Sequence, residues 1–228
     1  MEALSKRDCR LGALGAALML VGDLCLSLIP ASPGDQGLFL RQAYLSGGFS
    51  PWRLPLLLAT GLVGMALGFF TVRALCRQVR PEHRRIRGAM RAGGAIYLVS
   101  AGALHLWIGS LADWTSMLGP LLGREETAAL IQSQYDRLMP PMLIAYAGMA
   151  LLFGTNAWAV LTKKTVLPRW MFAFHALVFQ IAMALIPDVR QALGAEVSTW
   201  DFALSQCSGN AGLLVWMAAN AIWARRHV

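Results

Sequence analysis

The charged residues of this chain avoid six stretches, and this avoidance constrains the fold more than any other feature. Each stretch is about 20 residues long, the length at which an apolar helix crosses the hydrocarbon core of a bilayer. Charged residues make up 14% of the chain, whereas a soluble domain carries about a quarter. We therefore expect an all-α, polytopic membrane protein in which residues 1–228 form a single six-helix transmembrane domain. The predicted spans are about 11–30, 52–72, 92–112, 141–161, 168–187 and 202–224.

The net charge of +8 follows the expected membrane topology. Fifteen of the 20 basic residues fall at the N-terminus, in the second and fourth connections and in the C-terminal tail, which share one side of a six-helix bundle. Cytoplasmic segments of membrane proteins are the basic ones, so we expect both termini in the cytoplasm. We expect the basic loops to meet anionic membrane lipid and no nucleic acid.

Two connections on the opposite, outer side are too long to be simple turns. Residues 37–45 and 124–138 each have the pattern of a short amphipathic helix on the outer surface. Between the second of these segments and the next span lies Pro140-Pro141. Because proline is favoured at the first position of a helix, this pair is predicted to open the fourth span. Elaboration of the outer loops indicates that function lies on that side.

Polar side chains inside the predicted spans fall at one depth below the outer surface. Asp23 and Gln180 lie about 10 Å below the outer ends of their helices, and His105 lies about 12 Å below, at a rise of about 1.5 Å per residue. Polar groups in hydrocarbon are tolerated together if they line one water-filled or ligand-filled cavity. The predicted ligand-binding residues are Asp23, Arg53, His105, Tyr146, Gln180, Ser208 and Asn210.

His175 lies about 19 Å from the outer end of its span, below this layer. We interpret it as a buried histidine whose hydrogen bonds are satisfied within the protein. A metal site built from His105, His175 and Asp23, or a haem held by the two histidines, would require them to meet despite a depth difference of about 7 Å. We therefore expect no cofactor and no metal.

Four short segments carry a resemblance to a known family. They are Gly22-Asp23 late in the first span, Ser50-Pro51-Trp52-Arg53 before the second, His105 in the third and Pro187-Asp188 closing the fifth. The chain resembles a family of uncharacterised bacterial six-helix membrane proteins. The resemblance implies an integral protein of the bacterial cytoplasmic (inner) membrane, and it implies no activity, substrate or catalytic residue.

Three functions fit these observations. The first is a protein that binds or translocates a small or amphipathic ligand in a polar intramembrane pocket open to the outer face, with Arg53 at its mouth. The second is an intramembrane enzyme that acts on a lipid or isoprenoid, in which Asp23 and His105 form a catalytic acid/base pair. The third is a structural or assembly subunit whose polar layer holds helices together. The sequence leaves the oligomeric state open.

Overall fold

Ten α-helices, one π-helical turn and one 3₁₀ segment account for most of the described chain. The computed structural model describes residues 5–30, 32, 35 and 40–227. The helices are α1 (Lys6–Ser27), α2 (Gln42–Leu45), α3 (Arg53–Gln78), α4 (Arg84–Leu122), α5 (Arg124–Met149), α6 (Thr155–Leu161), α7 (Ala176–Ala184), α8 (Ile186–Ala192), α9 (Thr199–Gln206) and α10 (Ser208–His227). A π-helical turn, Ala150–Gly154, joins α5 to α6, and a 3₁₀ segment, Arg169–Phe174, precedes α7.

Several of these helices are long and apolar enough to cross a membrane. They are α1, α3, α4 and the continuous α5–α6 unit, Arg124–Leu161. The 3₁₀ segment, α7 and α8 together form a fifth candidate that is bent by 40°. The described part of the chain contains no β-strand, and an isolated β-bridge pairs Val79 with Thr165, which lie in the two basic connections. The expected all-α class is thus confirmed, together with helices that could span a membrane.

The long helices pack in a ring. Helix α1 lies against α3 and α10, α3 lies against α4, and α4 lies against α5. On the other side α10 packs on α7, which contacts the π-helical turn after α5. Small residues allow close approach in this ring: a Cβ atom added at Gly64 of α3 would lie 2.8 Å from the carbonyl oxygen of Gly15 in α1. Such contacts are the usual basis of helix association in lipid.

The end of the fold opposite the basic connections, which we call the outer end, differs from the sequence interpretation. The segment predicted as a separate surface helix is the first half of α5, and Pro140 and Pro141 lie inside that helix rather than at its start. Proline removes a hydrogen bond to the residue four positions earlier but does not prevent a helix from continuing with a kink. Helices α4 and α5 therefore extend together to a turn at Gly123, whose φ of 87° is left-handed. Of the other predicted outer helix, only Gln42–Leu45 is helical within the described residues, and residues 37–39 lie outside them.

The last two predicted spans are interrupted. The fifth contains a break at His175, which has extended backbone and accepts a hydrogen bond from the Leu177 backbone N–H, so it caps α7. The sixth is divided at Cys207 into α9 and α10. Helix α9 starts with a reciprocal capping box between Ser198 and Asp201.

The outer end of α1 is capped by side chains from later parts of the chain. Arg41 donates from Nη1 to the carbonyl oxygens of Ser27 (2.9 Å) and Ile29 (3.1 Å). The Tyr44 hydroxyl donates to the carbonyl of Leu26, and Arg53 Nη1 donates to that of Cys25 (2.7 Å). The last carbonyls of a helix have no partner within the helix and carry negative partial charge, which cationic donors stabilise.

Two of these capping side chains are buried completely, which changes their acid–base behaviour. Arg41 and Tyr44 are both 0% exposed. Burial lowers the pKa of Arg41 from its ordinary value and raises the pKa of Tyr44. The guanidinium remains charged at neutral pH because its ordinary pKa is so high, and the phenol remains a neutral donor.

Replacing Arg41 by Met should destabilise the fold. The change leaves two buried carbonyls without their charge-assisted partner, so we expect a loss of about 2–4 kcal/mol. Thermal unfolding of the detergent-purified protein would measure it. The matched control is Arg137→Met on the exposed surface of α5, which should leave the melting temperature unchanged. Equal melting temperatures for the two variants would contradict the capping role.

Candidate functional site

Asp23 joins α1 to α10 at the centre of the outer polar layer. Asn210 Nδ2 donates to Asp23 Oδ2 over 2.6 Å. The other carboxyl oxygen, Oδ1, lies 3.9 Å from His105 Nδ1 of α4. The Asp23 and His105 side chains are 21% and 15% exposed. Three helices that are far apart in sequence thus bring a carboxyl group, an imidazole and an amide together.

His105 occupies a space that two glycines leave open. A Cβ atom added at Gly61 of α3 would overlap the imidazole at Cδ2 and Nε2, and one added at Gly22 of α1 would lie 3.1 Å from Nε2. The ring is therefore held against the backbones of α1 and α3. This packing places Nδ1 on the side of the ring that faces Asp23.

A cavity with two lobes surrounds this group. The outer lobe has a volume of about 540 Å³ and the inner lobe about 330 Å³. Six residues line both lobes, so the lobes meet at the carboxyl group and the imidazole. The shared residues are Asp23, His105, Ile108, Met142, Tyr146 and Gln206. Sites for small molecules commonly have such volumes and a mainly apolar wall with a few placed polar groups.

Most of the predicted ligand-binding residues line this cavity. Asp23, His105 and Tyr146 line both lobes, whereas Gln180, Ser208 and Asn210 line only the inner lobe (Ser208 is at the first turn of α10). Arg53 is not in the wall of either lobe, because its guanidinium points to the Cys25 carbonyl. The structure therefore brings together six of the seven residues, and their role as a binding site stays a prediction.

Five further polar residues line the cavity, and one of them, Ser27 of α1, lines the outer lobe. Gln132 and Tyr135 come from the first half of α5 and line the outer lobe, Tyr97 lines the inner lobe and Gln206 lines both. The amphipathic pattern of residues 124–138 predicts a separate helix on the surface, and this prediction leaves their side chains out of the pocket. Gln206 lies about 6 Å from Asn210 along the predicted sixth span, within the same polar layer, and this position is the signal that the sequence offers. Tyr97 lies about 12 Å along α4 from His105, and no feature of the sequence distinguished it.

His175 belongs to a separate buried network near the basic connections that follow α3 and α6. Because its Nδ1 accepts the Leu177 backbone N–H, the proton of the neutral ring is on Nε2, which donates to Asn156 Oδ1 over 3.1 Å. Asn156 donates to Gln78 Oε1, and Gln78 donates to Asn220 Oδ1. The four side chains are all 0% exposed. The interpretation of His175 as a buried histidine with protein partners agrees with this geometry.

The structure does not gather a set of metal ligands around the cavity. Both ring nitrogens of His175 are bonded to protein groups, and His175 is not in the wall of either lobe. In the described ranges, no group of three or more His, Cys, Asp or Glu side chains is placed to hold a metal ion. The four cysteines are free and buried.

The fold and the cavity define an all-α protein whose long apolar helices could cross a membrane and enclose a polar pocket. The chain belongs to a family of unknown function, DUF6796, whose model matches residues 1–221. This match confirms the resemblance to an uncharacterised family. Comparisons with curated proteins and with solved structures gave no match.

Gly61→Ala should displace the His105 ring and destabilise the protein. The new methyl group would overlap the imidazole, and overpacking of a core costs about 1–3 kcal/mol. Gly88→Ala is the matched control, because a Cβ atom there would meet nothing within 4 Å and alanine favours a helix. Melting temperatures of both variants and of Gly61→Ala/His105→Ala would be compared. The double variant should be less affected by the methyl group than the single one, and a Gly61→Ala variant as stable as Gly88→Ala would contradict the packing.

Proposed function

We propose that the chain is a six-span protein of a bacterial inner membrane that binds or translocates a small or amphipathic ligand in the Asp23–His105 cavity. Both termini lie in the cytoplasm in this proposal, and the fifth and sixth spans are the interrupted helices α7–α8 and α9–α10. The cavity opens toward the outer side. The observation that carries the proposal is the convergence of Asp23, His105 and Asn210 on a cavity between apolar helices.

The cavity wall favours a ligand with a hydrogen-bonding head and an apolar body. Asp23 and His105 lie where the two lobes meet, and the outer lobe continues along the apolar side chains of Leu57, Ile108 and Ile131. An ionisable group in hydrocarbon is costly and is usually retained for function. Placing the head at Asp23 would let the apolar part of the ligand lie along this wall.

The gap between Asp23 Oδ1 and His105 Nδ1 suits one shared ligand atom. At 3.9 Å the two atoms are too far apart for a direct hydrogen bond. An oxygen about 2.8 Å from each of them fits, because 3.9 Å is less than twice that distance. A hydroxyl could thus donate to the carboxylate and accept from an Nδ1–H of the imidazole, whereas a water molecule could also donate to both groups.

The same gap supports a second candidate function. In an intramembrane enzyme acting on a lipid or isoprenoid, Asp23 and His105 would be the acid and base, with the reacting hydroxyl held between them. A structural subunit, the third hypothesis, requires no ligand in the cavity. The experiments below separate a ligand site from that structural role.

Replacing Asp23 by Asn should weaken binding of an amphipathic alcohol while the protein remains folded. The probe is a long-chain alcohol with a photoactivatable diazirine in its chain, added to the protein in liposomes. In the wild type we expect cross-links at Leu57, Ile108 or Met142, mapped by mass spectrometry. Loss of a charge-assisted hydrogen bond should reduce cross-linking about tenfold in Asp23→Asn, and His105→Gln should also reduce it.

The controls are chemically matched substitutions outside the cavity. Asp188→Asn and His83→Gln make the same chemical changes at residues that line neither lobe, and they should label like the wild type. Melting temperatures would verify folding. Equal labelling of wild type and both cavity variants, with all proteins folded, would overturn the ligand site and favour the structural reading.

The proposed topology predicts which loops an impermeant thiol reagent reaches in intact cells. Single cysteines introduced at Gly47 or Gly123 should react from outside, and those at His83 or Thr162 should not. The native cysteines are buried, so background labelling should be low. Permeabilised cells provide the positive control for the inner positions. Labelling of the His83 position in intact cells would reverse the orientation.

A further inference from the structure

A second cavity lies at the basic end of α3 and α4, away from the Asp23–His105 cavity. It has a volume of about 380 Å³, and none of its lining residues is shared with the Asp23–His105 cavity. We name it the arginine groove. It is lined by Phe69, Val72, Arg73, Cys76, Arg77, Arg87 and Arg91.

The four arginines form two facing pairs. Arg73 and Arg77 are one turn apart on α3, and Arg87 and Arg91 are one turn apart on α4, which runs in the opposite direction after the turn at residues 79–83. Residues four positions apart lie on the same face of a helix. The groove therefore has two guanidinium groups on each wall.

The arginines on the two walls differ in their partners: those of α3 pair with a carboxylate, and those of α4 have no carboxylate partner among the described residues. Asp8 of α1 forms ion pairs with Arg73 Nε (3.1 Å) and Arg77 Nη1 (2.6 Å). Arg87 donates from Nε (3.0 Å) and from Nη2 to the Val79 carbonyl oxygen. No carboxylate lines the groove among the described residues. Because no carboxylate pairs with Arg87 or Arg91 in the described ranges, this wall of the groove attracts an anion.

The groove is apolar at the end that points toward the middle of the helices. Phe69 precedes Arg73 by one turn on α3, and it is 57% exposed. Val72 lies beside it in the wall. A free anion needs only the guanidinium groups, whereas a ligand with a phosphate head and an attached acyl chain would use both ends.

We propose that the arginine groove binds the phosphate head of an anionic phospholipid, with an acyl chain along Phe69 and Val72. Guanidinium groups form paired hydrogen bonds with phosphate, and basic pockets between membrane helices on the cytoplasmic side hold anionic lipid heads. The lipid would fix the ends of α3 and α4 that carry the arginines. Its binding is independent of any ligand in the Asp23–His105 cavity.

The test measures lipid retention by native mass spectrometry. Protein purified in mild detergent is incubated with phosphatidylglycerol, with zwitterionic phosphatidylcholine or with inorganic phosphate. The wild type should keep one phosphatidylglycerol in preference to phosphatidylcholine. Arg87→Gln/Arg91→Gln should reduce this retention about 10- to 30-fold, as expected for two arginines near a lipid head.

A charge-matched control separates a defined groove from general attraction to basic loops. Arg80→Gln/Arg84→Gln also removes two positive charges, but neither residue lines the groove, so it should bind like the wild type. Arg91→Gln alone should reduce retention several-fold, and it carries the test if the loss of the Arg87 bond to Val79 impairs folding. Equal losses of phosphatidylglycerol in the two double variants would overturn the proposal. So would retention of phosphatidylcholine equal to that of phosphatidylglycerol, or thermal stabilisation by inorganic phosphate equal to that by phosphatidylglycerol.

Discussion

The free carbonyls at the outer end of α1 are the constraint on which the outer half of the structure depends. A helix that ends within apolar surroundings must find donors for its last carbonyls, because unpaired backbone groups there are costly. α1 has no basic residue in its own last turn. Arg41, Tyr44 and Arg53 supply the donors, and in doing so they attach the first outer connection and the start of α3 to α1.

This anchoring fixes the residue on which the site is built. Asp23 is one turn before Ser27, whose hydroxyl donates to the Asp23 carbonyl oxygen. The same Ser27 hydroxyl contacts Cys207 at the junction of α9 and α10, next to Asn210. The capped end of α1, the break before α10 and the Asp23–Asn210 bond therefore lie within a few residues of one another. Any shift of α1 along its axis would separate Asp23 from both His105 and Asn210.

The protein has two layers of polar side chains, an outer one around Asp23 and an inner one formed by the His175 network. The two layers differ in what their side chains face. In the inner layer His175, Asn156, Gln78 and Asn220 donate to one another in a single direction, ending at the Trp216 carbonyl. All of them are buried, as expected for a network that specifies helix packing. In the outer layer Asp23 and His105 face a cavity instead. This difference is the reason to assign a ligand to the outer layer and a structural role to the inner one.

The sequence predicted an all-α fold with apolar helices that could span a membrane, and it grouped six of the residues that line the cavity, because both depend on local patterns. Apolar length revealed the candidate spans, and the helical rise placed Asp23, His105 and Gln180 in one layer. A local pattern does not determine the direction in which a side chain points around the helix axis. The pattern therefore predicts Arg53 at the mouth of the pocket, whereas its guanidinium points to the Cys25 carbonyl. The preference of proline for helix starts predicts that Pro140-Pro141 opens a new helix. In the structure the amphipathic segment before the pair belongs to the same helix, α5. The partners of Arg41 and of Gln78 depend on tertiary packing, which no local pattern reports.

The central claim is that the Asp23–His105 cavity exists to hold a ligand, and an experimental structure of the protein in lipid nanodiscs tests it most directly. The account predicts non-protein density in the outer lobe, with an atom within hydrogen-bond distance of both Asp23 Oδ1 and His105 Nδ1. A closed cavity in which Asp23 and His105 bond directly to each other, with side chains filling both lobes, would contradict it.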